Sequence, residues 1–186
     1  SSIASEGKST TCFNTAITFA ETGAKVLVID CDMRRPNVAK LLNVKGDKGL
    51  SNILVGESTV DQVLIRSEYS GLDVITAGNI PPNPTELLTS DNVSATIDAL
   101  KEKYDYIFLD TPPVTIVTDA ILLSKVCDGF VVVVRQTRAE KRMLTDAVSK
   151  LRFVDAKIIG FVFNGVVVSK SGYGYYKNNY KYSKYS

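Results

Sequence analysis

The sequence predicts an α/β fold, doubly wound on both faces of a mainly parallel sheet. Two observations carry this. Five short apolar segments rich in β-branched residues run with little polar alternation, as strands covered on both faces do. Segments with helical spacing lie between them, so strand and helix alternate along the chain.

The elements follow in order. Residues 8–22 place Phe13, Ile17 and Ala20 on one helical face, and residues 26–30 (VLVID) read as a strand. Residues 44–56 form a glycine-punctuated connection with a short helix around 51–54. Residues 72–76 (LDVIT) give the second strand. Residues 84–102 open with Pro-Thr-Glu, a favourable start for one long helix. The third strand spans 105–110 (DYIFLD), with a helix at 118–125 after it. The fourth spans 129–134 (GFVVVV), a helix follows at 139–153, and 157–163 (KIIGFVF) gives the fifth strand. No internal repeat is visible.

Composition changes after Val168. Residues 1–168 read as one domain and 169–186 as a tail that has no aliphatic residue and so little to bury, which predicts mobility. The tail holds Tyr173, Tyr175, Tyr176, Tyr180, Tyr182 and Tyr185, two thirds of the chain's nine tyrosines. It also holds four lysines and no acid; since the 186-residue chain has a net charge of +2, the remainder carries about −2. That balance is not a polycation built for nucleic acid. The bland alternative for the tail is a Tyr- and Lys-rich surface for RNA or acidic membrane, giving weak, salt-sensitive binding.

Three cysteines without regular spacing argue against a disulfide framework or a zinc site, and they read as free thiols in a reducing cytoplasm. Histidine chemistry is excluded, because the chain has none. No apolar run approaches the ~20 residues that span a bilayer.

The strongest motif is Ser2-Ile3-Ala4-Ser5-Glu6-Gly7-Lys8-Ser9, which matches G-x-x-x-x-G-K-[ST] with Ser2 at the first glycine. Such a P-loop wraps phosphate oxygens in backbone N–H groups and adds the dipole of a helix N-terminus. Gly7 allows close approach, Lys8 reaches the β- and γ-phosphates, and the Ser9 hydroxyl ligates Mg²⁺. Ser5, Glu6 and Thr10 complete the predicted ATP-binding loop, with Thr10 placed for the α-phosphate. A strand normally precedes this loop. Here only Ser1 does, and we expect a piece of a longer chain whose central strand is missing.

Two further elements support the loop. Asp30 and Asp32 stand just beyond the strand at 26–30, where open α/β sheets bind ligands. The strand at 105–110 ends in Asp110 before Thr-Pro-Pro, a Walker B pattern with its carboxylate near Mg²⁺. The bland reading of Asp30 and Asp32 is turn-forming acids, and of Arg34 and Arg35 a solvated helix start. Asn164 before Gly165 is equally a turn residue, and Arg135 and Arg138 stand at the carboxyl end of their strand.

The loop, V-I-D-C-D-M-R at 28–34, F-L-D-T-P-P at 108–113, G-N-I-P-P-N-P-T-E-L-L at 78–88 and the tyrosine tail together resemble the bacterial tyrosine kinases of capsule and exopolysaccharide systems. The resemblance covers nearly the whole chain. The septum-positioning and plasmid-partition ATPases share the Walker B strand and overall order. They carry a signature lysine early in the loop, where this chain has Ile3.

The kinase resemblance implies catalytic roles for Lys8, Asp30, Asp32 and Arg34. Mg²⁺ would be organised by Ser9, Asp32 and Asp110, and Asp30 would lie nearest the incoming tyrosine. Asn164 would touch adenine, and the six tail tyrosines would accept phosphate between subunits. It implies ATP and Mg²⁺ as cofactors. It also implies a membrane adaptor with a cytosolic tail, self-association, a phosphotyrosine phosphatase, and a cytoplasmic place at the inner face of the membrane. The upstream E-x-x-R-x-x-R motif used by relatives for ring assembly is not in this sequence. A partition-type ATPase switch and an inactive nucleotide-binding remnant stand as alternatives.

Overall fold

The computed structural model describes residues 1–166. The tail tyrosines and the boundary at 168/169 lie outside the described residues. Helix α1 (Lys8–Glu21) buries Phe13, Ala16 and Ala20 along one stripe. Strand β1 (Val26–Asp30) is buried along its whole length. Helices α2 (Val38–Leu42), α3 (Leu50–Leu54) and α4 (Val60–Val63) are short. After β2 (Ile65–Arg66) and β3 (Leu72–Ile75) come α5 (Pro84–Thr89) and α6 (Asp91–Lys101). The chain continues through β4 (Tyr106–Asp110), α7 (Asp119–Leu122) with a 3₁₀ turn at Leu123–Lys125, β5 (Phe130–Arg135), α8 (Lys141–Phe153) and β6 (Ile158–Asn164).

All five predicted strands are present. The single helix expected over 84–102 is instead two, because Ser90 is extended (φ −70°, ψ 152°) and its Oγ donates to the Leu87 carbonyl. Short polar side chains compete for backbone groups in this way at helix ends.

Strands β2-β3-β1-β4 form one sheet, with β1 parallel to both neighbours and β2 antiparallel to β3. Helices cover both faces. Leu27 and Ile29 join the cluster of Leu54, Leu88, Ile97 and Leu100, while Val26 and Val28 join Phe13, Ala16 and Ala20. Parallel strands β5 and β6 form a second unit on α8 through Val132, Val134, Ala147 and Leu151. The alternate residues Ile159, Phe161 and Phe163 leave the other face of β6 open.

Residues 1–7 bond to the connection after β4 and to the carboxyl ends of β5 and β6. On one side Val114 N donates to the Ser1 carbonyl (3.0 Å) and Thr115 Oγ1 to the Ser2 carbonyl. On the other, Arg135 N donates to Glu6 Oε1 (3.2 Å) and Asn164 Nδ2 to the Glu6 carbonyl (3.0 Å). The three body tyrosines act as packing residues: Phe13 meets Tyr69, Phe19 meets Tyr106, and Tyr104 donates to Asp73 (2.8 Å). No described helix is long and apolar enough to cross a membrane.

Candidate active site

The P-loop turns into α1 through Gly7 at φ 88°, a left-handed conformation that glycine adopts without strain. A Cβ there would also collide with the Asn164 amide. The first backbone N–H groups of α1 have no helical acceptor and remain for a ligand. Lys8, Ser9 and Thr10, in its first turn, line a cleft of about 1120 Å³. Asp32, Arg34, Arg35, Lys40 and Arg135 line it too, with Pro112, Pro113, Ile80 and Ile116.

Asp30 and Asp110 are register partners at the carboxyl ends of β1 and β4, and both are buried. Burial pushes the Asp30 carboxyl up to about 6; Asp110 adds to the rise, and backbone donors oppose it. Burial also raises Asp110, against the pull of the Lys8 ammonium and a hydrogen bond from Ser9. Two desolvated carboxylates side by side repel, and a cation between phosphate and protein relieves both effects.

The carboxylate of the D-x-D pair that borders the cleft is Asp32. Asp30 is fully buried and already accepts three N–H groups. Oδ1 takes Asp32 N (3.1 Å), and Oδ2 takes Asn37 N and Val38 N (both 3.0 Å), which anchors the start of α2. In this geometry Asp30 organises backbone and Asp32 faces the ligand space.

Glu6 and Asn164 do not line the cleft. The Glu6 side chain is fully buried; its Oε2 accepts Ser2 N (2.8 Å), Ser2 Oγ (3.0 Å) and Ile3 N (3.0 Å). It braces the loop internally. Asn164 spends its amide on the Glu6 carbonyl, so it clasps the loop to β6. Arg135 lines the cleft, with Nη1 donating to the Ser5 carbonyl (3.3 Å) and Nε buried without a partner.

Sequence reasoning missed the partners of Arg34. Nε donates to Asp119 Oδ2 (2.9 Å) and Nη2 to Thr85 Oγ1 (2.8 Å) and Asp119 Oδ1 (3.3 Å). Asp119 is fully buried. Hydrogen bonding to it raises the already high guanidinium pKa. These residues lie 51 and 85 positions from Arg34; no local pattern marks them.

The donor set fits a magnesium nucleotide. The unpartnered Arg135 Nε suits a phosphate oxygen, and Ser9 with Asp32 and Asp110 suits a hard cation. Among the described residues no group of three metal-ligating side chains gathers. Magnesium held by one or two carboxylates with phosphate oxygens and water needs none.

The chain is 40% identical over 178 residues to the tyrosine-protein kinase YwqD of Bacillus subtilis (strain 168), covering 94% of this chain and 75% of that one. It belongs to the bacterial tyrosine kinases. The tyrosine-protein kinase CpsD of Streptococcus agalactiae is 36% identical, over 93% of this chain and 76% of that relative. The family model described as an AAA domain matches residues 5–155. Among solved structures, the kinase domain of the Escherichia coli tyrosine kinase ETK superposes with a TM-score of 0.88 at 30% identity, covering 97% of this chain and 71% of that one. The septum site-determining protein MinD of Pyrococcus horikoshii, complexed with Mg-ADP, gives 0.71 at 22% identity over 86% and 65%, a likeness of fold alone. The bacterial tyrosine kinases thus share the predicted α/β P-loop architecture with this chain, through a mainly parallel sheet.

Proposed function

We propose that this chain is an ATP-dependent protein-tyrosine autokinase that phosphorylates its own tail tyrosines, acting between copies. One observation carries the reading: Lys8, Ser9 and Asp32 line a single cleft, with Asp110 hydrogen-bonded to Ser9 behind them. Phosphoryl transfer asks a protein mainly for alignment and charge neutralisation, and this set supplies both.

Lys8 and the N–H groups at the start of α1 hold the β- and γ-phosphate oxygens. Ser9, Asp32 and Asp110 would hold Mg²⁺ directly or through water, and the ion would supply charge neutralisation on the phosphates. Arg135 Nε offers a further donor. The tyrosine oxygen forms a bond to the γ-phosphorus, and the bond from that phosphorus to the β–γ bridging oxygen breaks with its electron pair left on ADP. A phenol has a pKa near ~10. Its proton leaves late, to Asp32 or to water. Asp30 contributes by fixing the backbone that presents Asp32 and Asn37.

The acceptors in this reading are Tyr173, Tyr175, Tyr176, Tyr180, Tyr182 and Tyr185. Each phosphate adds nearly −2 at neutral pH, which reverses the tail's positive charge and loosens any assembly of copies. The kinase would act in capsular or exopolysaccharide synthesis and export, in the cytoplasm at the inner membrane face. A membrane adaptor's cytosolic tail would activate it and a phosphotyrosine phosphatase would reset it. The test is transfer of radiolabelled γ-phosphate from Mg-ATP to tyrosine, with Lys8→Met as the control that must stay unlabelled.

A further inference from the structure

Asp110 ends β4 and Asp32 follows β1, so the two carboxylates sit where the chain leaves the sheet. Among the described residues the last backbone bond between these two stretches runs from Cys31 N to the Asp110 carbonyl (2.8 Å). Pro112 and Pro113 then offer no N–H, so the ladder cannot continue from that side. Beyond this point the Arg34 side chain makes the crossing. Its Nε and Nη2 donate to Asp119 (2.9 and 3.3 Å), and Nη2 also donates to Thr85 Oγ1 (2.8 Å). Thr85 Oγ1 in turn donates to Asp119 Oδ1 (3.4 Å), which closes a three-membered clamp.

Both far ends of the clamp are anchored. Asp119 opens α7 fully buried, and Ala120 and Leu123 after it are set into two different apolar clusters. Thr85 stands in the Pro-rich connection that enters α5, where Pro84 and Leu88 are buried. Arg34 stands instead on the irregular turn between β1 and α2. That turn is stapled internally, since Asp30 Oδ1 accepts Asp32 N (3.1 Å) and Asp32 Oδ1 accepts Arg35 N (2.9 Å). A displacement of Arg34 is therefore passed to the Asp32 carboxylate. Asp119 and Thr85 do not line the cleft, so a ligand there senses them through Arg34. The buried Asp119 carboxylate needs its cation, which keeps the clamp closed.

We propose that Asp119 and Thr85 are positioning residues for the magnesium site. They hold Arg34, and Arg34 holds the turn that presents Asp32 alongside Asp110. This rests on the reading of Ser9, Asp32 and Asp110 as the magnesium set. Groups that orient metal-binding side chains are commonly worth about 10–100-fold in metal affinity.

The experiment reads metal binding, not turnover. A fluorescent, non-hydrolysable ATP analogue is titrated with the full chain in EDTA, and then again across a range of Mg²⁺ concentrations. Asp119→Asn should raise the Mg²⁺ midpoint about tenfold and Thr85→Val by less, while the metal-free Kd of the analogue stays within about twofold in both. Thr85→Ser, which keeps the hydroxyl, should match the parent chain. Arg34→Gln/Asp119→Asn should shift the midpoint no further than Arg34→Gln alone, because both residues act through one clamp. Tyr104→Phe loses a hydrogen bond to Asp73 outside the cleft, so it reports destabilisation alone and should leave the midpoint where it is. An unchanged midpoint in Asp119→Asn beside a raised one in Asp32→Asn would overturn the clamp's role alone, and so would an equal rise in Tyr104→Phe. Weakened metal-free binding in Asp119→Asn would also overturn it, assigning Arg34 to the phosphates. Analogue binding that ignores Mg²⁺ in the parent chain and in Asp32→Asn would contradict the magnesium set itself, and the clamp's role with it.

Discussion

Asp30 and Asp110 end adjacent parallel strands in the same register, so that β1 and β4 deliver two buried carboxylates to one edge of the sheet. Their burial, with a smaller share from the neighbouring charge, has a measurable sign. The Asp30 carboxyl stands at about 6 in the folded chain, against an ordinary 3.8. Between those values the folded state binds more protons than the unfolded one. This contribution to stability is therefore present below the lower value and is lost as pH rises through the higher. Thermal melts of metal-free protein from pH 4.5 to 7 should show that loss. Asp110→Asn, which removes the neighbouring charge, should make it smaller. Equal slopes in the two proteins would contradict the coupling.

The Glu6 brace gives a second prediction. Removing its carboxylate orphans the donors of Ser2, Ile3 and Arg135. Buried donors without acceptors cost ~1–3 kcal/mol each, partly recovered by water. Glu6→Ala should therefore lower unfolding free energy by about 2–4 kcal/mol in urea titrations. Glu6→Gln, which keeps one oxygen, should lose less. A silent Glu6→Ala would mean that the loop does not depend on this side chain.

The Arg34–Asp119 pair should be asymmetric. Asp119 is fully buried, whereas the Arg34 side chain is 39% exposed. Arg34→Ala strands a buried carboxylate, while Asp119→Asn leaves a guanidinium that can turn to water. Discounted for that exposure, the first should cost about 2–3 kcal/mol and the second about 1. Chemical denaturation of both variants and the pair as a double-mutant cycle gives the comparison. The reverse order would contradict the clamp as described.

Charge around the cleft predicts an order of binding. Lys8, Arg34, Arg35, Lys40 and Arg135 line it with Asp32 as their one acidic neighbour among the lining residues. The tail brings lysines and no acid. A cationic tail is repelled until nucleotide phosphates reverse the field. Tail-peptide affinity should rise with the Mg-bound ATP analogue, and the rise should shrink as salt is added. Equal affinity with and without nucleotide would contradict it.

Much of this was legible along the chain, for reasons that differ by element. β1, with burial throughout and a phosphate loop before it, announces itself through local composition. Asp110 is marked by the strand that ends in it. Legibility failed where the deciding contact is distant or where a short polar residue intervenes. Ser90 splits the helix expected over 84–102, and its Thr-Ser-Asp context was the available signal. The two-residue β2 and the short α2 and α4 are set by packing and by the Asp30 anchor rather than by periodicity. Glu6 and Asn164 read as ligand contacts because they belong to the loop and the strand end. Only the fold reveals that both turn inward to hold the loop itself. Asp119 and Thr85 carry no motif, and their importance rests on where α5 and α7 meet Arg34.

The most direct test of the central claim is phosphotyrosine mapping by mass spectrometry. The full chain would be incubated with Mg-ATP, with and without the cytosolic segment of a membrane adaptor, beside Lys8→Met and Asp32→Asn. The account predicts phosphate on the tyrosines between 173 and 185, lost or reduced about a hundredfold in both variants. ATP binding with no phosphotyrosine under either condition would contradict autophosphorylation and point to a nucleotide switch.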